Sequence, residues 1–501
     1  MRAIGIILVN EIEHRRQMEE NSEKSTRTKI FQNTFILISG RMVGILIAAG
    51  TSIFFARYLG SQRFGQFSSL YAYLSLFTWL ASLGIEPILT REVARRRGDA
   101  GIIVATGMVL CSFFAVLTSG VAIFLAPFSG YSESMQRLVV FAAVDMLLLF
   151  PLRLPAIIFQ ADMKQWYVVF INVARQVFWF GAIVALAKIG ASLPAFVLMR
   201  LAGAVLETIL ILWYSAKFIA PPYFIDLDRL IFYLKACVPL AFSSLLASIY
   251  LRIDQVMLHN LASDRVLGDY AVAVKVSELF EMLPAALLSA LFPVLATYVN
   301  DKTRSQAFTD RVFRYMMITA GLLCVAMCVG SKIVMSLLYG PEFSQSAKLL
   351  SILVWSEFAV FFGAVVIHVL LARNCQRFLI FPTAIGAGLN VFLNIVFIPR
   401  YAASGSAWAS VLSYGFAWMF FLLIFKRTRG VIWQGLRRAI PVILISLASS
   451  IGALLLPLPT ALRFVLALAA YTGGIWWIRA ADKEDVTFIM AAVNRGLLKF
   501  S

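Results

Sequence analysis

From Phe31 to Ala480 the chain alternates apolar runs of about twenty residues with short loops that carry the charges. Wound as an α-helix, a run of that length crosses the hydrocarbon of a bilayer. The runs fall near 33–56, 66–89, 101–126, 136–158, 168–187, 192–214, 236–260, 268–295, 312–331, 349–371, 378–398, 404–425, 438–456 and 461–479, which predicts an all-α polytopic membrane protein of about fourteen helices. Val43 to Ala56 and Val354 to Leu371 are apolar on every face, unlike the alternating segments of a membrane barrel. Helices also complete their own backbone hydrogen bonds, as lipid requires.

The composition agrees. Of 501 residues, 61% are hydrophobic and 14% charged, with a mean hydropathy of +0.84, too apolar for a soluble chain of this length. The net charge of +18 does not point to nucleic acid, because the excess sits in short loops beside the membrane, where it sets topology and meets anionic lipid headgroups. With a cytoplasmic N-terminus, the inward segments hold roughly 30 of the 44 basic residues and the outward loops roughly nine, so both termini are expected in the cytoplasm. Residues 1–30 read as a charged tail; Arg2 and Ile4 to Val9 are too short and lack a cleavage site for a signal peptide. Residues 481–501 carry Val486, Ile489, Val493 and Leu497 at helical spacing, as an amphipathic helix on the inner surface does.

The chain contains a repeat of itself. Leu59-Gly60-Ser61-Gln62-Arg63-Phe64-Gly65-Gln66-Phe67 aligns, with one extra residue, on Leu261-Ala262-Ser263-Asp264-Arg265-Val266-Leu267-Gly268-Asp269-Tyr270. The span after each ends in Pro87-Ile88-Leu89 or Pro293-Val294-Leu295. An offset of about 200 residues is six helices, an even number, so the copies run parallel about an axis along the membrane normal. The expected organisation is a six-helix lobe over 31–216, a second over 217–430, and two added helices over 431–480, with a central cavity between the lobes.

Charges persist inside these spans, although one at bilayer depth costs roughly 2.5–3.5 kcal/mol on insertion scales. The basic members Arg41, Arg175, Arg200, Arg252 and Lys275 lie at different depths, as suits a cavity that passes an anionic substrate; arginine's planar fork favours phosphate or pyrophosphate. The acids Asp254, Glu278, Glu281 and Glu357 are candidates either for coupling to H+ or Na+ or for simple charge compensation. Lys275 and Glu278, three apart, can bridge directly, whereas Arg252 and Asp254, two apart, point to different sides. Other features are absent: no G-x-x-x-x-G-K-[ST], no H-E-x-x-H, no metal-ligand clustering among the three histidines and five cysteines, and no loop long enough to house a catalytic domain. No catalytic residue, metal, cofactor or structural disulfide is expected.

Phe54-Phe55-Ala56-Arg57-Tyr58-Leu59-Gly60, Phe64-Gly65-Gln66-Phe67, Leu83-Gly84-Ile85-Glu86 and Thr90-Arg91-Glu92-Val93-Ala94 resemble the first two helices of bacterial polysaccharide or oligosaccharide flippases. These belong to the O-antigen type within the multidrug/oligosaccharidyl-lipid/polysaccharide exporter superfamily. Asp254 to Leu258, Tyr270 to Lys275 and Leu291 to Leu295 are similar to that family's seventh and eighth helices. The resemblance implies fourteen helices, two six-helix lobes and alternating access. It also implies an undecaprenyl-pyrophosphate-linked glycan as substrate, carried across the inner membrane, with other polysaccharide-assembly membrane proteins as possible partners. An ion-coupled drug or metabolite antiporter of the same superfamily is the alternative, favoured by acidic rather than basic cavity residues. A glycan polymerase or ligase needs a larger outer loop than Ala126 to Gln136 provides.

Overall fold

The computed structural model describes residues 40, 42–219, 225–298 and 301–478, and within them the secondary structure is helical throughout. The two tails and Arg41 lie outside the described residues. Ten of the described helices are long and apolar enough to cross a membrane, and two of these are folded back on themselves.

The first fold-back is at Gly60, whose φ of +70° breaks the helix Met42–Ser75. Phe55 and Phe67 would stand roughly 18 Å apart along a straight helix, yet their rings meet at 4.9 Å. The second is at Ala402, at φ 47° and ψ −131°, inside Ile380–Gly415. There the Asn390 amide donates to Ser413 Oγ at 3.2 Å across 23 residues. Counting these hairpins, the rods in chain order are α1 (42–59), α2 (61–95), α3 (Ala100–Leu125), α4 (Glu133–Ala161), α5 (Gln165–Lys188), α6 (Leu193–Ser215) and α7 (Leu227–Leu261). There follow α8 (264–297, interrupted at Glu281), α9 (Lys302–Leu338), α10 (344–372), α11 (376–401), α12 (403–424), α13 (Lys426–Leu455) and α14 (Thr460–Trp477). The architecture is consistent with fourteen crossings, in two six-helix lobes followed by two further helices.

Prolines mark the bends. Pro151 follows a wide turn in α4 and Pro155 sits within a tight one, Pro239 lies within α7, and Pro284 lies in the first turn of the second part of α8. In α2 the break is at Leu83 and Gly84, both at positive φ, where Gly84 lies against Leu240 of α7.

The cores are shared at one end of the molecule and separate at the other. Phe55, Phe64, Tyr131, Leu193, Leu258, Leu267, Phe343 and Ala407 belong to one cluster that crosses between the lobes at the end carrying the α1–α2 and α7–α8 turns. At the opposite end, Ile85, Ile103, Ile158 and the first turns of α7 form one core, while Leu291, Phe313, Phe362 and Leu436 form another. Apart from α7, whose first turns pack on the first lobe, the lobes join at the first end and keep separate cores toward the second.

The last two helices are fixed to α9. Tyr471 donates to the Ile318 carbonyl at 2.6 Å, Arg438 forms a two-pronged pair with Asp310, and Gly321 and Gly435 let Val442, Tyr471, Phe313 and Phe362 close in. Outward faces carry Phe113, Phe124, Trp213, Leu444 and Trp477, all exposed, as lipid-facing surfaces do.

Ala402 adopts a conformation suited to glycine, at a strain on the order of 1–3 kcal/mol. Ala402→Gly relieves it at the expense of a looser unfolded chain. The expected net gain is about 1 kcal/mol, read as a raised Tm in detergent, and a lowered Tm contradicts it.

Candidate functional site

The charges inside the spans gather into two clusters, one in each lobe. In the first lobe, Asp145 and Arg153 lie eight residues apart on α4, and Arg200 and Glu207 lie seven apart on α6, so each helix presents its pair one above the other. The signs are opposed, and two rungs form. Arg200 Nε reaches Asp145 Oδ2 at 3.3 Å, and Arg153 reaches Glu207 at 3.4 Å. Arg153 also contacts Asp145 Oδ1 at 3.5 Å and donates to Thr208 Oγ at 3.3 Å.

The local backbone helps. A wide turn at Val144–Leu148 sends the Leu149 N–H to the Val144 carbonyl rather than to that of Asp145, and Arg153 donates to the Asp145 carbonyl at 3.3 Å. Arg200 additionally lies 3.8 Å over the ring of Tyr71 from α2.

Arg175 enters from α5. Its Nε is 3.5 Å from Glu207 Oε2, close enough for an ion pair but without hydrogen-bond geometry, so it is the most loosely held arginine of the set. Three arginines thus face two carboxylates. Arg175 and Arg200 each keep 35% of the side chain exposed, although both sit in the middle of spanning helices.

The second cluster lies between α7, α8, α10, α11 and α12. Glu278 holds two cations, Arg252 at 2.9 Å and Lys275 at 2.7 Å. The side chains of Arg252 and Lys275 remain 29% and 44% exposed. Asp254 turns the other way, into a buried polar pocket, where it accepts from Tyr270 Oη at 2.6 Å and from the Gln255 N–H at 2.7 Å. Tyr270 lies 3.4 Å from Ser410 Oγ, Asn390 donates to Ser410 at 3.5 Å, and Asn394 donates to Asn390 Oδ1 at 2.9 Å. Asn394 Oδ1 and Ser406 Oγ are buried in this pocket without a hydrogen-bond partner.

Glu357 is buried on α10. It accepts from Ser277 Oγ at 2.7 Å through one oxygen, while its other oxygen has no partner. Glu281 is exposed at the break in α8, one turn from Glu278. The second cluster therefore holds two cations against four carboxyl groups, the reverse of the first.

Of the basic residues singled out from sequence, Arg175 and Arg200 meet in the first cluster and Arg252 and Lys275 in the second, while Arg41 lies outside the described residues. Sequence reasoning did not see that Asp145, Arg153 and Glu207 organise the arginines. The spacings of eight on α4 and seven on α6 are the signal that could have shown it. It also passed over the pocket around Asp254, whose trace in sequence is the pair Asn390 and Asn394 four apart, followed by Ser406, Ser410 and Ser413.

Glu278→Gln removes the carboxylate that pairs with both Arg252 and Lys275, which are partly exposed, and is expected to destabilise the folded protein by about 1–3 kcal/mol. Adding Lys275→Met to Glu278→Gln should restore part of the loss. A thermal-unfolding cycle in which Lys275→Met gives no recovery would rule out charge imbalance as the cause.

Known proteins share both pattern and fold. The family model described as polysaccharide biosynthesis protein matches residues 30–299, and the MatE model matches 239–396. The chain is similar to the probable low-salt glycan biosynthesis flippase Agl15 of Haloferax volcanii, with 21% identity over 368 residues, covering 72% of this chain and 76% of that protein. Its fold is similar to that of the lipid II flippase MurJ in an inward closed conformation, at a TM-score of 0.69 and 13% identity over 89% of this chain and 99% of that one. A MATE family multidrug resistance transporter of the MOP superfamily, in its inward-facing conformation, follows at a TM-score of 0.60 and 12% identity over 81% and 98%. With the family model covering more than half of its length, the chain belongs to the polysaccharide biosynthesis protein family and is a flippase of the multidrug/oligosaccharidyl-lipid/polysaccharide exporter superfamily.

Proposed function

We propose that this flippase carries an undecaprenyl-pyrophosphate-linked oligosaccharide, a polysaccharide repeat unit, from the cytoplasmic to the outer face of the membrane by alternating access. The observation that carries the reading is the partial exposure of Arg175 and Arg200 inside spanning helices. A guanidinium half-open at that depth must face water or an anion, because lipid is too costly. The surplus of three arginines over two carboxylates leaves Arg175 the readiest to turn from Glu207 to a phosphate oxygen.

The similarity to a glycan biosynthesis flippase supports a lipid-linked glycan. In this reading the pyrophosphate and sugars occupy the space between the lobes, where Arg252 and Lys275 face it from the second lobe, and the prenyl tail stays in lipid. The excess of lysine and arginine in alternate loops orients the chain with both termini in the cytoplasm, so the joined end of the lobes lies outside and the parted end opens inward. Anionic lipids meet the basic loops.

The second cluster suits ion coupling. One carboxylate, two carboxamides and several hydroxyls form a small oxygen-lined pocket, appropriate to a hard monovalent cation such as Na+, and Asp254 or Glu357 alone suits a proton. The excess of carboxyl groups there is also what favours the alternative, an antiporter for cationic compounds.

Deleting the gene is expected to trap lipid-linked glycan on the cytoplasmic face, with rescue by the wild-type chain. One hydrogen-bonded ion contact is worth roughly 1.5–3 kcal/mol, so Arg175→Ala or Arg200→Ala should lower transport by about tenfold to a hundredfold at unchanged abundance. Normal glycan export in the deletion strain, with no second flippase present, would favour the antiporter.

Ion coupling predicts a separate result. Asp254→Asn in proteoliposomes should remove the stimulation of transport by an imposed Na+ or H+ gradient while leaving downhill flipping measurable. Stimulation that persists in Asp254→Asn excludes Asp254 as the coupling group.

A further inference from the structure

The two copies of the repeat meet each other at the joined end of the lobes. Gly65 lies in the first turns of α2 and Gly268 in the first turns of α8, and they are the aligned glycines of the two copies. A Cβ placed on Gly65 would run into the backbone carbonyl of Asp264 and come within 2.9 Å of the Gly268 nitrogen. One placed on Gly268 would run into the backbone carbonyl of Ser61. The relation is reciprocal, so α2 and α8 cross backbone on backbone, each glycine under a carbonyl from the other copy. Only hydrogen fits on either Cα.

Polar links surround the crossing, and each joins one lobe to the other. Gln66 Nε2 donates to Asp264 Oδ2 at 3.1 Å, the Ser61 N–H donates to Glu342 Oε1 at 3.0 Å, and Arg57 donates to the Leu337 carbonyl at 2.5 Å. Glu342 thereby caps the start of α2 from the second lobe. His259, stacked near Tyr131, hydrogen-bonds the other oxygen of Asp264 at 2.7 Å. The glycines set how closely the two helix starts approach, with Phe64 and Leu267 in the shared apolar core beside them.

We infer that the Gly65–Gly268 crossing is a steric latch that shuts the joined end and must part for the second state of the transport cycle. Its assignment to the outer face rests on the proposed orientation, but its action as a latch does not. A methyl at either glycine holds the helix starts apart, which breaks the surrounding polar links together and shifts the population toward the opened end.

The test is a distance measurement in purified protein in nanodiscs, without substrate. Spin labels are placed on Ser134→Cys and Gln345→Cys, exposed sites in opposite lobes at the joined end, with the five native cysteines replaced. Gly65→Ala and Gly268→Ala are each expected to add a longer distance, and the double variant to make it dominant. Gly120→Ala on α3, where a Cβ meets nothing within 4 Å, should leave the distribution as in the parent. An unchanged distribution in the folded double variant overturns the latch.

Should the double variant not fold, a Gln66→Cys and Asp264→Cys pair with both glycines intact takes its place. That pair carries no spin labels: the latch predicts that oxidation cross-links it nearly completely, and that adding Gly65→Ala or Gly268→Ala lowers the cross-linked fraction; equal cross-linking in a folded single variant overturns the latch. Because these readouts need no glycan, loss of the flippase reading alone would leave them unaltered.

Discussion

Ionised groups at bilayer depth must be met by opposite charge or by water, and this requirement fixes how the helices of this chain are turned. α4 and α6 carry their charges in opposite order, so only one mutual rotation brings Arg200 to Asp145 and Arg153 to Glu207. α7 and α8 are held likewise, since Glu278 can serve both Arg252 and Lys275 only when it faces the same side as they do. Apolar packing between such helices is permissive by comparison, because lipid competes for the same surfaces. The charges thus hold the helices in register, and what distinguishes the lobes is the balance left over.

That balance is unequal. The first lobe carries an arginine more than its acids require, and the second carries carboxyl groups beyond its cations. On the proposed function, an anion between them would find attraction on one wall and a place for a cation on the other, and binding of each would favour the other, since either alone leaves a net charge in a medium of low dielectric constant.

Much of the fold was legible in sequence because a crossing helix needs one long apolar run and little else. The hairpin at Gly60 could be read from the short basic loop there, and the Lys275–Glu278 pair from a spacing of three. The partners of Arg175, Arg200 and Arg252 could not, because they lie on other helices at sequence separations from 26 to 55 residues. Which face of a helix meets which is decided by packing, and periodicity within one span is silent on it. Ala402 shows the same limit from the backbone side: runs ending at 398 and starting at 404 place a turn there, but nothing about an alanine between Tyr401 and Ala403 marks it as the residue at positive φ. The repeat was visible as letters, whereas the reason for its glycines needed both copies in contact.

The attachment of α13 and α14 to α9 makes the halves of the molecule unequal in size. Bodies that turn against each other in a viscous sheet share the motion inversely to the drag on each. The larger half, eight helices against six, with Trp476 and Trp477 bared at the end of α14, sweeps more lipid per degree and would turn somewhat less in the frame of the bilayer. If the halves rock as proposed, the larger share of the swing falls to α1 through α6, the lighter half.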